Sequence, residues 1–207
     1  ISDTDLKAPI YIDFGPTSLS ATPWNNITSH QESSTTSWIK DVENNYTNIG
    51  VRVLDGFTAT HAGVGSEPAS PVTVDGVEFP LTAWKDGLLV KGEKNQGDVG
   101  PGRIEISQLD VARKYNFTIL AIRFNGSKDA RISSYKLVGK TESAVKEVKT
   151  GIKDAASFAA ANFEEYIAKF ENVEPDSEGK VIVEVKGLDT GSAAEGHINA
   201  LCISLAK

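Results

Sequence analysis

The sequence is poor in cysteine, in methionine and in positive charge. Its 207 residues include one cysteine, Cys202, and no methionine. One cysteine can form neither an internal disulfide nor a cysteine-based zinc site. The 21 lysines and arginines are outnumbered by 28 aspartates and glutamates, for a net charge of −7, and form no basic cluster. Nucleic-acid binding depends on phosphate neutralisation, so we expect no nucleic-acid partner. No run of 18 apolar residues occurs, so we expect no membrane span.

The remaining composition is that of an ordinary soluble domain. Hydrophobic residues make up 40% and charged residues 24% of the chain, and such a chain buries roughly 70% of its unfolded surface on folding. The polar loop 29–37 and the glycine-rich loop 92–102 do not separate segments that could each build a core. We therefore predict one domain over residues 1–207, as a monomer.

Short β-rich runs alternate with turn dipeptides. Asp55-Gly56, Asp75-Gly76, Asp86-Gly87 and Asn125-Gly126 have the residues that tight hairpins require, because glycine and asparagine tolerate positive φ. This pattern predicts an all-β fold, a two-sheet antiparallel β-sandwich. The candidate strands are 10–14, 50–54, 57–60, 77–79, 87–91, 103–107, 115–124, 131–138, 180–186 and 197–205.

The strand predicted at 115–124 is apolar on both faces, which is typical of a central strand covered on both sides. We expect the first strand, 10–14, to pair with the last, 197–205. Cys202 alternates with Leu201 and Ile203, so we interpret it as a buried packing residue rather than a nucleophile. The predicted core residues are Phe117, Ile119, Leu120, Ile122, Val183, Leu201 and Ile203.

One alanine-rich segment departs from the β pattern. Asp154 is a candidate N-cap, and we predict a short helix near 155–162. The alternation of Tyr166, Ala168 and Phe170 then predicts a strand that runs to Val173.

The sequence contains no complete catalytic motif. Glycines in 92–102 lack the spacing of a nucleotide-binding loop, and residues 63–66 (GVGS) lack the second half of a nucleophile elbow. His30, His61 and His197 are far apart in the sequence and have no metal-ligand spacing. A catalytic triad assembled in space stays an open alternative. We predict no cofactor; the scattered carboxylates leave room for a structural Ca²⁺ built across loops, which folding does not require.

Sugar-binding sites use aromatic rings, which pack on pyranose C–H groups, and planar amide, carboxylate and guanidinium groups, which form hydrogen bonds with hydroxyls. Several such residues fall in predicted loops. Each also has a structural interpretation, since a Trp in a sandwich often packs in the core and an Arg can bridge two strands. If the first strand and the central strand run parallel, the loop that holds residues 24–26 shares one rim with Arg123, Asn125 and Arg131, and together they form one pocket. The candidate ligand-binding residues are Trp24, Asn25, Asn26, Trp84, Arg123, Asn125 and Arg131.

Six segments of the chain carry a resemblance to a known family: 11–16 (YIDFGP), 24–26 (WNN), 115–123 (YNFTILAIR), 131–139 (RISSYKLVG), 170–183 (FENVEPDSEGKVIV) and 198–201 (INAL). Through these segments the chain resembles the galactose-binding-like jelly-roll domains of bacterial exported proteins. This resemblance covers roughly half of the chain and implies a jelly-roll sandwich. Such domains often accompany SGNH-type esterases or polysaccharide-degrading enzymes, but no Gly-Asp-Ser-type catalytic block is present here, so esterase activity is not implied.

Three functional hypotheses follow. The first is a non-catalytic, carbohydrate-binding-module-like domain of an exported glycan-utilisation protein, with an oligosaccharide or polysaccharide as partner. The alternatives are a structural or protein-interaction domain accessory to a hydrolase, and a hydrolase whose site the motifs do not reveal. Export places the chain outside the cell, on the cell surface or in the periplasm. Four Asn-x-Ser/Thr sequons, at Asn26, Asn45, Asn116 and Asn125, are a weak indication of export.

Overall fold

The computed structural model describes residues 6–91, 100–124, 131–188 and 194–207. Within these ranges the helical segments are α1 (Leu81–Trp84), α2 (Ala155–Ala159) and a 3₁₀ helix (Phe163–Tyr166). No helix among the described residues is long and apolar enough to cross a membrane. The strands are β1 (Ile10–Phe14), β2 (Trp24–Ile27), β3 (Thr35–Thr36), β4 (Gly50–Asp55), β5 (Ala59–His61), β6 (Val72–Val74), β7 (Val77–Phe79), β8 (Gly87–Lys91), β9 (Gly102–Ser107), β10 (Tyr115–Leu120), β11 (Arg123–Phe124), β12 (Ile132–Val138), β13 (Lys146–Lys149), β14 (Gly151–Ile152), β15 (Ile167–Val173), β16 (Val181–Gly187), β17 (Glu195–Ile198) and β18 (Ala200–Leu205).

The strands form two main sheets that face each other across a hydrophobic core, which confirms the predicted all-β sandwich. One sheet has five strands in the order β15-β10-β18-β1-β2, and the other has six in the order β13-β12-β16-β9-β4-β3. A three-stranded sheet, β17-β8-β5, lies at one end. Apolar residues at alternate positions of both main sheets make up the core between them.

The first and last strands pair as predicted. β1 is antiparallel to β18, with Ile10 opposite Ile203 and Ile12 opposite Leu201. β10 is antiparallel to the other side of β18. β1 and β10 therefore run in the same direction and end at the same edge of the five-stranded sheet. The sheets are not purely antiparallel, because β1 pairs with β2, and β11 with β14, in parallel.

The five-stranded sheet is covered on both faces, as the apolar pattern of the central strand predicted. Phe117 and Ile119 face the core between the two main sheets. Leu120 and Ile122 face a second hydrophobic cluster, which the β6–β7 hairpin, α1, α2 and the 3₁₀ helix build on the outer face. All seven predicted core residues are at most 1% exposed. Cys202 is a free, buried thiol in the second cluster.

The segment predicted as one strand over 115–124 is interrupted after Leu120. At the interruption the amide of Asn199 takes the place of a neighbouring strand. Its Oδ1 accepts a hydrogen bond from Ile122 N at 2.9 Å, and its Nδ2 donates to Ile122 O at 3.0 Å. Beyond this point β11 leaves the five-stranded sheet and pairs with β14.

The helix after Asp154 forms as predicted but ends earlier. Asp154 caps α2, with its Oδ1 accepting from Ser157 N at 2.8 Å, and the 3₁₀ helix then leads into β15, which ends at Val173 as predicted. The one-turn helix α1 was not predicted. The Asp75-Gly76 turn joins β6 to β7, with φ of 55° and 74°. The predicted Asn125-Gly126 turn and most of the loop 92–102 lie outside the described residues.

Candidate functional site

Buried polar side chains gather beyond the edge where β10 ends. They come from β5, β11, β17 and the residue that precedes β12. We call this group the arginine–histidine cluster and define it as His61, Arg123, Arg131, Glu195 and His197. His61 is 5% exposed, Arg131 2% and His197 0%.

The backbone of Thr150 holds the two arginines in register. Arg123 N donates to Thr150 O at 2.7 Å, and Thr150 N donates to Arg131 O at 2.9 Å. Both arginines are therefore hydrogen-bonded through their backbones to the same residue. This arrangement brings two residues from different strands to one rim of the sandwich.

The two histidines come from the strands that flank β8. His61 is opposite Gly87 and His197 is opposite Leu89. Their rings meet edge to face, with centroids 5.0 Å apart. Gly87 makes this possible, because a Cβ there would lie 3.0 Å from His61 Nε2 and 2.5 Å from Ile198 O.

The backbone of β17 is fixed from the inner side. His197 N donates to Ser133 Oγ at 2.9 Å, and the Tyr135 hydroxyl donates to His197 O. Gly196 allows the backbones of β17 and β16 to pack in direct contact, because a Cβ at this position would lie 2.4 Å from the carbonyl carbon of Lys186. Glu195 and His197 are thus held on a rigid strand.

Glu195 is the carboxylate of the cluster. Its Oε2 lies 3.2 Å from Arg131 Nη2 and 3.4 Å from His197 Nε2. Burial lowers the pKa of His197; the charges of Arg131 and Arg123 add to this effect, and Glu195 opposes it. Burial also lowers the pKa of His61 well below its usual value, with further contributions from His197, Arg123 and Arg131. Both imidazoles are therefore neutral at pH 7, each with one N–H donor and one acceptor nitrogen.

Arg123 is the more exposed of the two arginines in the cluster. The side chain is half-buried, and its Nε and Nη1 are buried without a hydrogen-bond partner among the described residues. Burial lowers the pKa of its guanidinium, and the charge of Arg131 lowers it further. Both ring nitrogens of His61 and the hydroxyl of Thr150 are also buried without a partner in the described ranges. Buried donors in folded proteins normally have a hydrogen-bond partner. We therefore expect these donors to bind an oxygen-bearing group that does not belong to the described residues.

The structure brings two of the sequence-predicted residues together, Arg123 and Arg131. Asn125 lies outside the described residues. Trp24 does not join them, although β1 and β10 do run parallel. Its strand runs beside β1 with Trp24 level with Tyr11, and its ring packs on Tyr11 at 5.1 Å and Phe79 at 5.7 Å. Across the sheet, Tyr11 is level with Cys202 and Thr118. Arg123 lies five residues beyond Thr118 along the chain, so Trp24 and Arg123 are not at the same level of the sheet.

The other predicted residues have structural partners. Trp84 is fully buried, stacks on Phe158 at 4.9 Å and donates from Nε1 to Ser70 O at 3.2 Å. Asn25 Nδ2 donates to Tyr11 O at 3.0 Å and to Lys40 O at 2.8 Å. Asn26 exchanges two hydrogen bonds with the Ser20 backbone, at 2.8 and 3.0 Å. Among the three tryptophans only Trp38, at 64% exposed, has a largely open ring.

Sequence reasoning missed His61, His197 and Glu195. The two histidines are 136 positions apart in the sequence, and no spacing rule connects them. A histidine within an apolar strand pattern was the available signal, and it does not identify the partner. In the described ranges no hydroxyl or thiol is hydrogen-bonded to the ring of His61 or His197. The described residues also contain no group of three His, Cys, Asp or Glu placed to hold a metal ion.

Comparisons with known proteins find little. No protein-family model matches the sequence, and no curated protein matches it. Among solved structures, the fold is similar to the CBM36-1 domain of a multidomain xylanase from the hindgut metagenome of Trinervitermes trinervoides. The similarity covers 68% of this chain and 90% of that chain, at 11% identity and a TM-score of 0.34. A similarity of this size supports no functional conclusion.

Proposed function

We propose that this chain is a carbohydrate-binding domain that holds an oligosaccharide or polysaccharide at the arginine–histidine cluster. The observation that carries the proposal is the half-buried guanidinium of Arg123, whose Nε and Nη1 have no partner among the described residues. A buried donor without a partner costs about 1–3 kcal/mol, and more when it is charged. A bound ligand rich in oxygen offsets this cost.

The chemistry of the cluster suits hydroxyl groups. Guanidinium groups donate only, while each neutral imidazole can donate at one nitrogen and accept at the other. A sugar hydroxyl also donates and accepts, so neighbouring hydroxyls of one sugar ring can satisfy both kinds of group. His61 supports this reading, because both of its ring nitrogens lack a partner in the described ranges.

The wider context is part of the same proposal. We place the domain, as a single non-catalytic monomeric unit over residues 1–207, in an exported protein that takes part in glycan utilisation. The absence of a complete catalytic motif in the sequence supports a binding role rather than hydrolysis. The site we propose centres on Arg123 and His61, with the buried Arg131 and His197 as supporting residues. It omits Trp24, Asn25, Asn26 and Trp84 because each of them packs or bonds within the fold.

A glycan array on the purified chain tests the proposal, followed by calorimetry on the best ligand. We expect Arg123→Ala to weaken binding by about 1–3 kcal/mol, the loss typical of a central polar contact. Arg113→Ala is the matched control, because Arg113 is exposed and precedes β10, at the opposite end of that strand. Both variants should melt as cooperatively as the parent chain.

Two results would contradict the proposal. One is an array without a bound glycan. The other is equal loss of affinity in Arg123→Ala and Arg113→Ala, which would place the ligand elsewhere. Release of product from acetylated or aryl-glycoside substrates would favour the hydrolase alternative instead.

A further inference from the structure

The charges of the arginine–histidine cluster do not balance. Arg123 and Arg131 each carry a positive charge, and both imidazoles are neutral. Glu195 Oε2 lies 3.2 Å from Arg131 Nη2 and is shared with His197. Arg123 makes no ion pair with the described residues, so its charge has no direct counter-ion there.

The other nearby carboxylate is already engaged. Glu67 is close enough to affect the pKa of Arg123. Its two carboxylate oxygens, however, accept hydrogen bonds from Val64 N at 2.5 Å and Gly65 N at 2.9 Å, which hold it within its own loop. Glu67 therefore weakens the local excess of positive charge without supplying a contact to Arg123.

A half-buried guanidinium without a counter-ion is costly, because burial removes hydration that no partner replaces. A neutral sugar offers hydroxyl oxygens but leaves the charge uncompensated. A carboxylate compensates the charge, and its planar pair of oxygens matches the fork of a guanidinium. The hydroxyls next to that carboxylate on a sugar ring would face His61, whose ring nitrogens lack a partner in the described ranges.

We propose, building on the carbohydrate-binding function above, that the cluster recognises the carboxylate of a uronic acid residue, with Arg123 as the group that binds it. Arg131 is then held by Glu195 as a second, flanking positive charge. Since the whole chain carries a net charge of −7, the attraction is local to this rim and does not come from the overall charge.

The test compares matched pairs of probes by calorimetry. Each pair is a galacturonate, glucuronate, mannuronate or guluronate oligosaccharide and its carboxyl-reduced counterpart. At least one uronate oligosaccharide should bind tenfold or more tightly than its reduced form. A sulfated galacto-oligosaccharide, which is anionic but tetrahedral at the charged group, should bind more weakly than the uronate.

Variants locate the contact. Arg123→Gln should reduce uronate affinity at least tenfold and remove most of the preference over the reduced form. Arg123→Lys keeps the charge but loses the fork, and should retain part of that preference. Arg113→Gln should bind like the parent. Raising the salt concentration from 50 to 300 mM should weaken uronate binding more than binding of the reduced form, since screening acts on the ion pair.

The outcomes separate the two proposals. Equal binding of uronate and reduced oligosaccharides overturns the carboxylate assignment and leaves the carbohydrate-binding function intact. Tighter binding of the sulfated probe overturns it in favour of a sulfate ester. An unchanged uronate preference in folded Arg123→Gln overturns the role of Arg123. No binding of any glycan overturns the proposed function itself.

Discussion

The amide of Asn199 holds the rim of the sandwich together, and Asn199→Asp should come close to unfolding the protein. Asn199 is fully buried. Its Nδ2 contacts three carbonyl oxygens, those of Trp84 at 2.9 Å, Asp86 at 2.7 Å and Ile122 at 3.0 Å. Its Oδ1 accepts from Ile122 N at 2.9 Å. An aspartate has the same shape but presents an acceptor where the site needs a donor.

The magnitude follows from those contacts. Two hydrogens on Nδ2 serve three carbonyls, so the substitution removes about two net hydrogen bonds, at about 1–1.5 kcal/mol each. Burial of a carboxylate against carbonyl oxygens adds further cost, which protonation of the new side chain limits. We expect a loss of about 3–6 kcal/mol in the free energy of unfolding at pH 7. Small domains have only about 5–15 kcal/mol in total.

Urea unfolding at several pH values measures the effect. The new carboxyl should have a folded-state pKa above its unfolded value near 3.9, so the penalty grows as pH rises above about 4. The variant should therefore recover about 1–3 kcal/mol between pH 7 and pH 5. Asn44→Asp is the matched control: its side chain is exposed, and the new carboxylate can keep the contact with Lys40 Nζ, now at 3.0 Å. It should change stability by less than about 0.5 kcal/mol. If Asn199→Asp costs less than about 1 kcal/mol at pH 7, the reasoning is refuted.

Two further predictions concern stability. Ile122→Ala should cost about 2–5 kcal/mol in urea unfolding, because Ile122 is 1% exposed and its removal leaves a cavity in the second hydrophobic cluster; a loss below about 1 kcal/mol would contradict this. Burial raises the pKa of Asp13 to about 7, well above its unfolded value near 3.9, so the free energy of unfolding should fall as pH rises from about 4 to 7. Asp13→Asn should flatten this fall and gain about 1–4 kcal/mol at pH 8, whereas parallel pH profiles of variant and parent would show that Asp13 does not titrate in that range.

The periodicity of the sequence predicted much of the fold. Strand β1 has the predicted bounds, and the core residues on β10, β16 and β18 are buried as expected. Alternation within a strand reports directly on which side chains are covered, so these inferences need no knowledge of the partner strands. The break after Leu120 could not be predicted in this way, because it depends on a side chain 79 positions later, that of Asn199.

The candidate site was predicted only in part. Arg123 and Arg131 were chosen for their chemistry beside a predicted turn, and the structure places them around Thr150. Trp24 and Trp84 were chosen for the same kind of reason, yet both pack in the second hydrophobic cluster. Residue type alone cannot separate these cases, because the elements that cover the outer face of the sheet come from distant segments of the chain.

Asn199 also couples the fold to the proposed site. It lies between β17, which carries His197 two residues earlier, and β18, which belongs to the five-stranded sheet. Its side chain bonds both backbone groups of Ile122, the residue next to Arg123. It also bonds the carbonyl of Asp86, next to the Gly87 that leaves room for His61. One buried amide thus sets where Arg123, His197 and His61 lie relative to one another. A polar rim can be held precisely in this way, because the hydrogen bonds that fix its residues are made by backbone groups and by a buried amide, and none of them uses the guanidinium of Arg123.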